Sequence, residues 1–242
     1  MQPILAKQQV VEDTHREIDD FYPDDDGKPM SENTLQFEWI TLIKQGLELA
    51  FEDRPDVFVA GDLLWYPVEG DNKIRQAPDV MVAIGRPKGY RGSYKQFLEE
   101  GIAPQVVFEI LSPGNRVGEM IKKYDFYEEY GVLEYYVYDP HKHTLEAYSR
   151  PSVDDYWIDS IVHGFTEWNS GVLGLKMSWI DQEFKIYQAD GTPFLSYQEL
   201  NDQRRLVENS LKDAKKAEKE AKLKAQKLAE KLRSLGIDPD SI

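Results

Sequence analysis

The sequence contains no cysteine. That excludes disulfides, thiolate metal sites and a cysteine nucleophile. It also lacks any run of about 18 apolar residues, so no membrane-spanning helix is expected. The first residues, MQPILAKQQVVEDTHRE, carry no apolar segment of the secretory type, and a cytoplasmic setting is expected. No glycine-rich phosphate cradle or dinucleotide fingerprint occurs. Positive charge is scarce: 29 Lys and Arg stand against 44 Asp and Glu, a net charge of −15. The deficit is uneven. Residues 1–200 hold 18 basic and 36 acidic side chains, whereas residues 201–236 hold 11 and 6. Nucleic-acid binders carry a basic footprint. The acidic body is evidence against a generic one, and a protein acting on nucleic acid here needs a local basic strip.

What is present argues for a folded core. Hydrophobic residues make up 41% of the chain, with five Trp, fourteen Tyr and ten Phe. The length of 242 residues suits one domain, taken as residues 1–197, with a charged helical tail over 198–242. Residues 1–20 are a polar lead-in, and FYPDDDGKPMSENT (21–34) is a loop ending in helix-capping candidates Ser31, Asn33 and Thr34. The apolar spacing from Leu35 to Phe51 predicts a helix, stopped near Arg54-Pro55. Strands are predicted over 57–70, 76–84 and 104–111. A helix follows over 117–130 with Gly131 as its C-cap. Shorter strands follow near 134–138, 145–149 and 157–161. This order predicts an α/β (α+β) domain with a mixed sheet flanked by helices.

The tail has its own pattern. Val207, Leu211, Ala214, Ala221, Ala225, Leu228, Leu232 and Leu235 recur at spacings of three and four, interrupted by Glu218. Two readings stay open: a solvated helix packed on its own domain, or a coiled coil that makes a homodimer.

Two carboxylates stand in apolar strand contexts, Asp79 in APDVMV and Glu109 in VVFEIL. A charge inside a core-forming strand is costly unless it is paired or holds a metal. Two of them on neighbouring strands suit one Mg²⁺ or Mn²⁺, with the Ile110 carbonyl as a further oxygen. Lys123, on the following helix, would orient water and meet phosphate charge; Lys122 is the reserve. The alternative is that both acids face solvent or pair with lysines.

The segments YPDDDGKPMSEN (22–33), APDVMVAI, VVFEILSPGN, Lys123, Tyr127 and GVLEYYVYDP resemble, in order and spacing, the Uma2 family of restriction-endonuclease-like proteins. The resemblance spans about residues 15–190, and the charged tail ending in GIDPD is similar to that of cyanobacterial members. It implies the PD-(D/E)XK nuclease fold, with Asp79 as the acid of the Pro-Asp motif and Glu109 as the second metal ligand. The superfamily pattern Glu-x-Lys is broken by Leu111, and the family's lysine on the next helix matches Lys123. Glu38 is an accessory acid or a surface ion-pair residue. Many relatives carry a His where this sequence has Gln36. His15, His141, His143 and His163 show no metal-ligand spacing, and His141-x-His143 reads as a turn.

The dense basic cluster of the acidic body is Arg86, Lys88, Arg91 and Lys95, interleaved with Tyr90 and Tyr94. These cations are expected to meet DNA phosphates while the tyrosines stack on bases; a charged, solvated loop is the alternative. The sequence thus leads to a Mg²⁺-dependent endonuclease acting on DNA. Its rivals are a catalytically inactive nuclease-fold scaffold that acts through its C-terminal helix, and a glycosidase built on the same two acids.

Overall fold

The computed structural model describes residues 21–22, 34–114, 116–161, 167–180 and 183–234. The expectations for the lead-in, most of the 21–34 loop, His15, His163, Leu235 and the terminal GIDPD lie outside these residues. The chain divides into two compact units, residues 1–194 and 195–242.

The first unit is built on a six-stranded sheet in the order β1-β3-β5-β6-β7-β8. Its strands are β1 (Val57–Gly61), β3 (Val80–Ile84), β5 (Val106–Ile110), β6 (Glu134–Asp139), β7 (Thr144–Ser149) and β8 (Ile158–Ile161). β5 and β6 run parallel and the other neighbours antiparallel, so the sheet is mixed. Parallel neighbours need a crossover. Helix α2 (Val117–Glu129) supplies it, and helix α1 (Thr34–Ala50) precedes the sheet.

Strand alternation sorts the core into two layers. Val80, Val82, Val106, Phe108 and Ile110 face α1, where Ile40, Ile43 and Leu47 recur at helical spacing and are buried. Met81, Ala83, Val107, Tyr135 and Val137 face the opposite way and pack with Tyr127 of α2. With both faces covered, β5 and β6 are buried along their whole length. This explains their nearly continuous apolar runs. Helix α1 ends where Lys88 donates from Nζ to the carbonyls of Phe51 and Glu52, at 2.6 and 2.9 Å. Helix α2 ends at Gly131, whose φ of 105° suits glycine.

Two smaller sheets complete this unit. β2 (Trp65–Tyr66) pairs in parallel with β4 (Tyr94–Lys95). β9 (Glu167–Asn169), β10 (Lys176–Ile180) and β11 (Glu183–Tyr187) form an antiparallel sheet. Met177, Phe184 and Ile186 of that sheet join the α1-side layer. This third sheet is absent from the sequence-based expectation.

The described residues of the second unit form one helix, α3 (Tyr197–Ser234). Ser196 and Glu199 form a reciprocal cap: the Glu199 carboxylate accepts from the Ser196 N–H at 2.7 Å, and Ser196 Oγ accepts from the Glu199 N–H at 3.2 Å. Lys231 and Arg233 sit in the last turn, where positive charge is favourable. No residue of α3 is buried, and Leu206, Val207 and Leu228 are 67%, 68% and 60% exposed.

Candidate functional site

The site forms where the ends of β1, β3 and β5 meet the middle and last turns of α2. Val80 pairs with Phe108. One step further along the same register, Asp79 stands opposite Glu109. Val80 and Phe108 face α1, so Asp79 and Glu109 face α2. The bond that closes this end is specific: Asp79 Oδ2 accepts from the Ile110 N–H at 2.6 Å. The register of β1 with β3 pairs Gly61 with Val80, which brings Asp62 beside Asp79. The Asp62 N–H donates to the Asp79 carbonyl at 3.2 Å.

Glu109 is 2% exposed. A carboxylate at that depth needs strong partners, and helix α2 provides them. Lys123 Nζ lies 2.6 Å from Glu109 Oε2. The Tyr127 hydroxyl donates to Oε1. The two donors are four residues apart, one above the other on the helix. Lys122, the residue before Lys123, is exposed.

The field follows from these neighbours. Burial by itself would lower the Lys123 ammonium, but Glu109, Asp79 and Asp62 outweigh it and the net shift is upward. Burial raises the Tyr127 hydroxyl well above the usual tyrosine range, and Glu109 adds to the rise. Lysine and tyrosine therefore stay protonated at neutral pH as donors to the carboxylate.

Gln36 enters from α1, on the other side of the sheet. It is buried and donates from Nε2 to the Ile110 carbonyl at 2.9 Å. Glu38 is exposed on the same helix. Sequence reasoning overlooked Asp62. Its one available signal was a carboxylate following the apolar run VFVAG, and only strand register reveals that this run ends beside Asp79.

The donor set is entirely hard oxygen: the two carboxylates and the Ile110 carbonyl. That matches a Mg²⁺-type ion, which binds through one or two carboxylates and keeps several water or phosphate ligands. Among the described residues no cluster of three or more His, Asp or Glu side chains could hold a metal. Two carboxylates and one carbonyl would enclose such an ion only in part.

The basic cluster sits differently from the solvent-facing strip expected of it. Arg86 pairs with Glu99 and Glu100, each at 2.9 Å. Arg91 pairs with Glu99 and lies 4.0 Å over the Phe58 ring. Lys88 caps α1, and Lys95 is buried in β4. Tyr94 is buried and donates to the Ile102 carbonyl at 2.8 Å. Tyr90 is exposed. His141 and His143 lie in the turn between β6 and β7.

The model of the family Uma2, described as "Putative restriction endonuclease", matches residues 28–189. The chain belongs to the Uma2 family. No curated protein matches it. Among solved structures it is similar to one described as "a putative nuclease belonging to DUF820 from Anabaena variabilis ATCC 29413". That likeness has a TM-score of 0.45 at 16% identity, covering 61% of this chain and 77% of the other.

Proposed function

We propose that the protein is a metal-dependent endonuclease that hydrolyses DNA phosphodiester bonds in the cytoplasm. Asp79 and Glu109 would hold Mg²⁺ or Mn²⁺, together with the Ile110 carbonyl. When bound, such an ion supplies Lewis acidity at the phosphate and an activated water. The observation that carries the reading is the Lys123 ammonium at 2.6 Å from a buried carboxylate that stands across from Asp79.

The chain's own groups have defined parts in this reading. Lys123 keeps its proton and neutralises charge that builds on the phosphate oxygens. Tyr127 fixes the rotamer of Glu109 from the other oxygen. Gln36 anchors the Ile110 carbonyl from the opposite face of the sheet. Phosphate contacts by Arg86, Lys88, Arg91 and Lys95 draw less support, because Arg86 and Arg91 are already paired with acids and Lys95 is buried.

The test is cleavage of plasmid or oligonucleotide DNA by full-length protein with Mg²⁺ or Mn²⁺. Chelator, Asp79→Ala and Lys123→Ala should each abolish it. Equal cleavage by the wild type and both variants would assign the activity to a contaminant.

A second reading is favoured by α3, where Leu200, Leu206, Leu211, Leu223 and Leu228 are exposed. Here the chain is a homodimer through that helix, and its nuclease-like unit is a scaffold. Truncation after residue 198 that leaves the number of chains per particle unchanged would refute a dimer made through that helix.

A further inference from the structure

Beside the carboxylates, on the α2 face of the sheet, lies a cavity of about 640 Å³. That is the size range of small-molecule sites. Its position follows from strand register. Val137 neighbours Glu109 on one side and Glu146 on the other, while Tyr135 neighbours Val107 and Tyr148. The floor thus begins where the Glu109 row ends. Met120 and Tyr124 of α2 form the facing wall. Met120, Tyr124 and Tyr148 are each half-buried; Tyr124 meets Tyr148 edge to face at 5.1 Å, and the part of each ring left exposed lines the cavity.

One residue of this lining has an unusual polar group. Tyr135 is 1% exposed, yet its hydroxyl has no hydrogen-bond partner among the described residues. Buried hydroxyls are nearly always paired. The Tyr135 ring is fixed by stacking on Tyr148 and Trp157, each at 5.6 Å between centroids, so the hydroxyl cannot simply swing elsewhere. Glu146 also lines the cavity, and Arg116 and Lys142 stand exposed at its rim.

We infer that this cavity receives one unpaired nucleobase of the strand whose phosphate meets Asp79 and Glu109, so that the site selects single-stranded or locally opened nucleic acid over regular duplex. The inference rests on the nuclease reading above. A base inside a duplex is stacked on both faces and must leave the stack to enter a pocket. Tyr124 and Tyr148 offer aromatic surface to a planar ring. The Tyr135 hydroxyl donates to a ring nitrogen or carbonyl. Glu146 accepts from an exocyclic amino group, which favours cytosine, adenine or guanine over thymine. Arg116 meets a flanking phosphate, whereas Lys142 is already paired with Asp139 at 3.2 Å.

The test is binding by full-length protein in chelator, where no cleavage interferes, read by the anisotropy of a labelled strand. The probes are the single-stranded pentamer dTTCTT, the same strand with an abasic centre, and a fully paired hairpin. The pentamer should bind about tenfold more tightly than either other probe, the effect of one stacked base. Ile121→Trp, a rim change at an exposed position, should remove that advantage. Tyr135→Phe keeps the ring, and should weaken pentamer binding severalfold without affecting the abasic strand. Equal binding of pentamer and abasic strand would overturn the inference, as would preference for the hairpin or indifference to both variants. Abasic-sensitive binding by a protein that cuts nothing would keep the pocket and remove the nuclease reading. Asp79-dependent cleavage with base-indifferent binding would do the reverse.

Discussion

Lys123 and Glu109 are 14 residues apart in sequence and 2.6 Å apart in space, joining α2 to β5 through an ion pair whose side chains are 18% and 3% exposed. Such a pair is costly to form and costlier to break, because loss of one partner strands the other charge. Lys123→Met should therefore lower the unfolding free energy by about 3 kcal/mol, as well as abolish cleavage. A urea titration measures the first effect. An unchanged midpoint would mean that the ammonium is not Glu109's main counter-charge.

Tyr127 tests positioning separately from charge. Its hydroxyl donates to the Glu109 oxygen that Lys123 does not occupy. Tyr127→Phe keeps the ring, which stacks parallel to Trp65 with centroids 6.2 Å apart. Loss of one hydrogen bond to a charged group should cost about 1.5–3 kcal/mol. In the nuclease reading kcat should fall while KM stays close to the wild-type value, because Tyr127 acts through Glu109. A rise in KM alone would place Tyr127 in substrate binding instead.

Much of this arrangement was legible in the sequence because it depends on local periodicity. The i,i+4 relation of Lys123 to Tyr127 is a property of one helix. The burial of Glu109 follows from the apolar residues around it. Asp62 and Gln36 were not legible in the same way. The side chain or carbonyl that each approaches is set by strand register or by a helix packed across the sheet, neither of which is written in any short window. The pairing of Arg86 and Arg91 was illegible for a related reason. The cations of their loop look solvent-facing in sequence, and Glu99, eight residues beyond Arg91, takes both. The sheet β9–β11 was missed because its strands are three to five residues long and polar residues interrupt them.

Glu99 gives that loop a structural role that can be measured. Burial would raise its carboxyl, but hydrogen bonds from Arg91 and Arg86 outweigh it and leave the carboxyl below the ordinary glutamate range. A depressed carboxyl contributes stability that is present above its unfolded value and is lost as pH falls through its folded one. Glu99→Gln should cost about 2–3 kcal/mol at neutral pH. It should also flatten the loss of stability on acidification. If these arginines meet phosphates instead, the same variant would increase DNA affinity and steepen its salt dependence without destabilising the fold.

The alkaline limb has the opposite sign. Lys123, Tyr127 and Tyr135 all hold their protons more tightly in the fold than when unfolded. For Lys123 three carboxylates outweigh the lowering by burial, and for the tyrosines burial itself is the main cause. The unfolded chain gives up these protons first, so their contribution is complete below about pH 10 and falls as pH rises through the folded values. The urea midpoint should drop steeply above about pH 10, and less steeply in a Tyr127→Phe, Tyr135→Phe double variant. Cleavage should show no loss from Lys123 deprotonation between about pH 7 and 9.

Gly46 sets helix propensity against packing. It lies in the middle of α1, where alanine would ordinarily stabilise the helix by about 1 kcal/mol. A Cβ at this position, however, would fall 2.1 Å from the Phe194 ring, and two further ring carbons lie within 2.6 Å. Phe194 is 7% exposed and its N–H donates to the Ile186 carbonyl at 2.8 Å, so the ring cannot withdraw without unpicking the end of β11. Overpacking of this kind costs about 1–3 kcal/mol, which outweighs the propensity gain. Gly46→Ala should therefore lower the melting temperature. Gly118 in α2 is the control, since a Cβ there meets nothing within 4 Å. Gly118→Ala should leave stability unchanged or raise it by up to about 1 kcal/mol. A Gly46→Ala protein as stable as the Gly118→Ala protein would show that Phe194 has room to move.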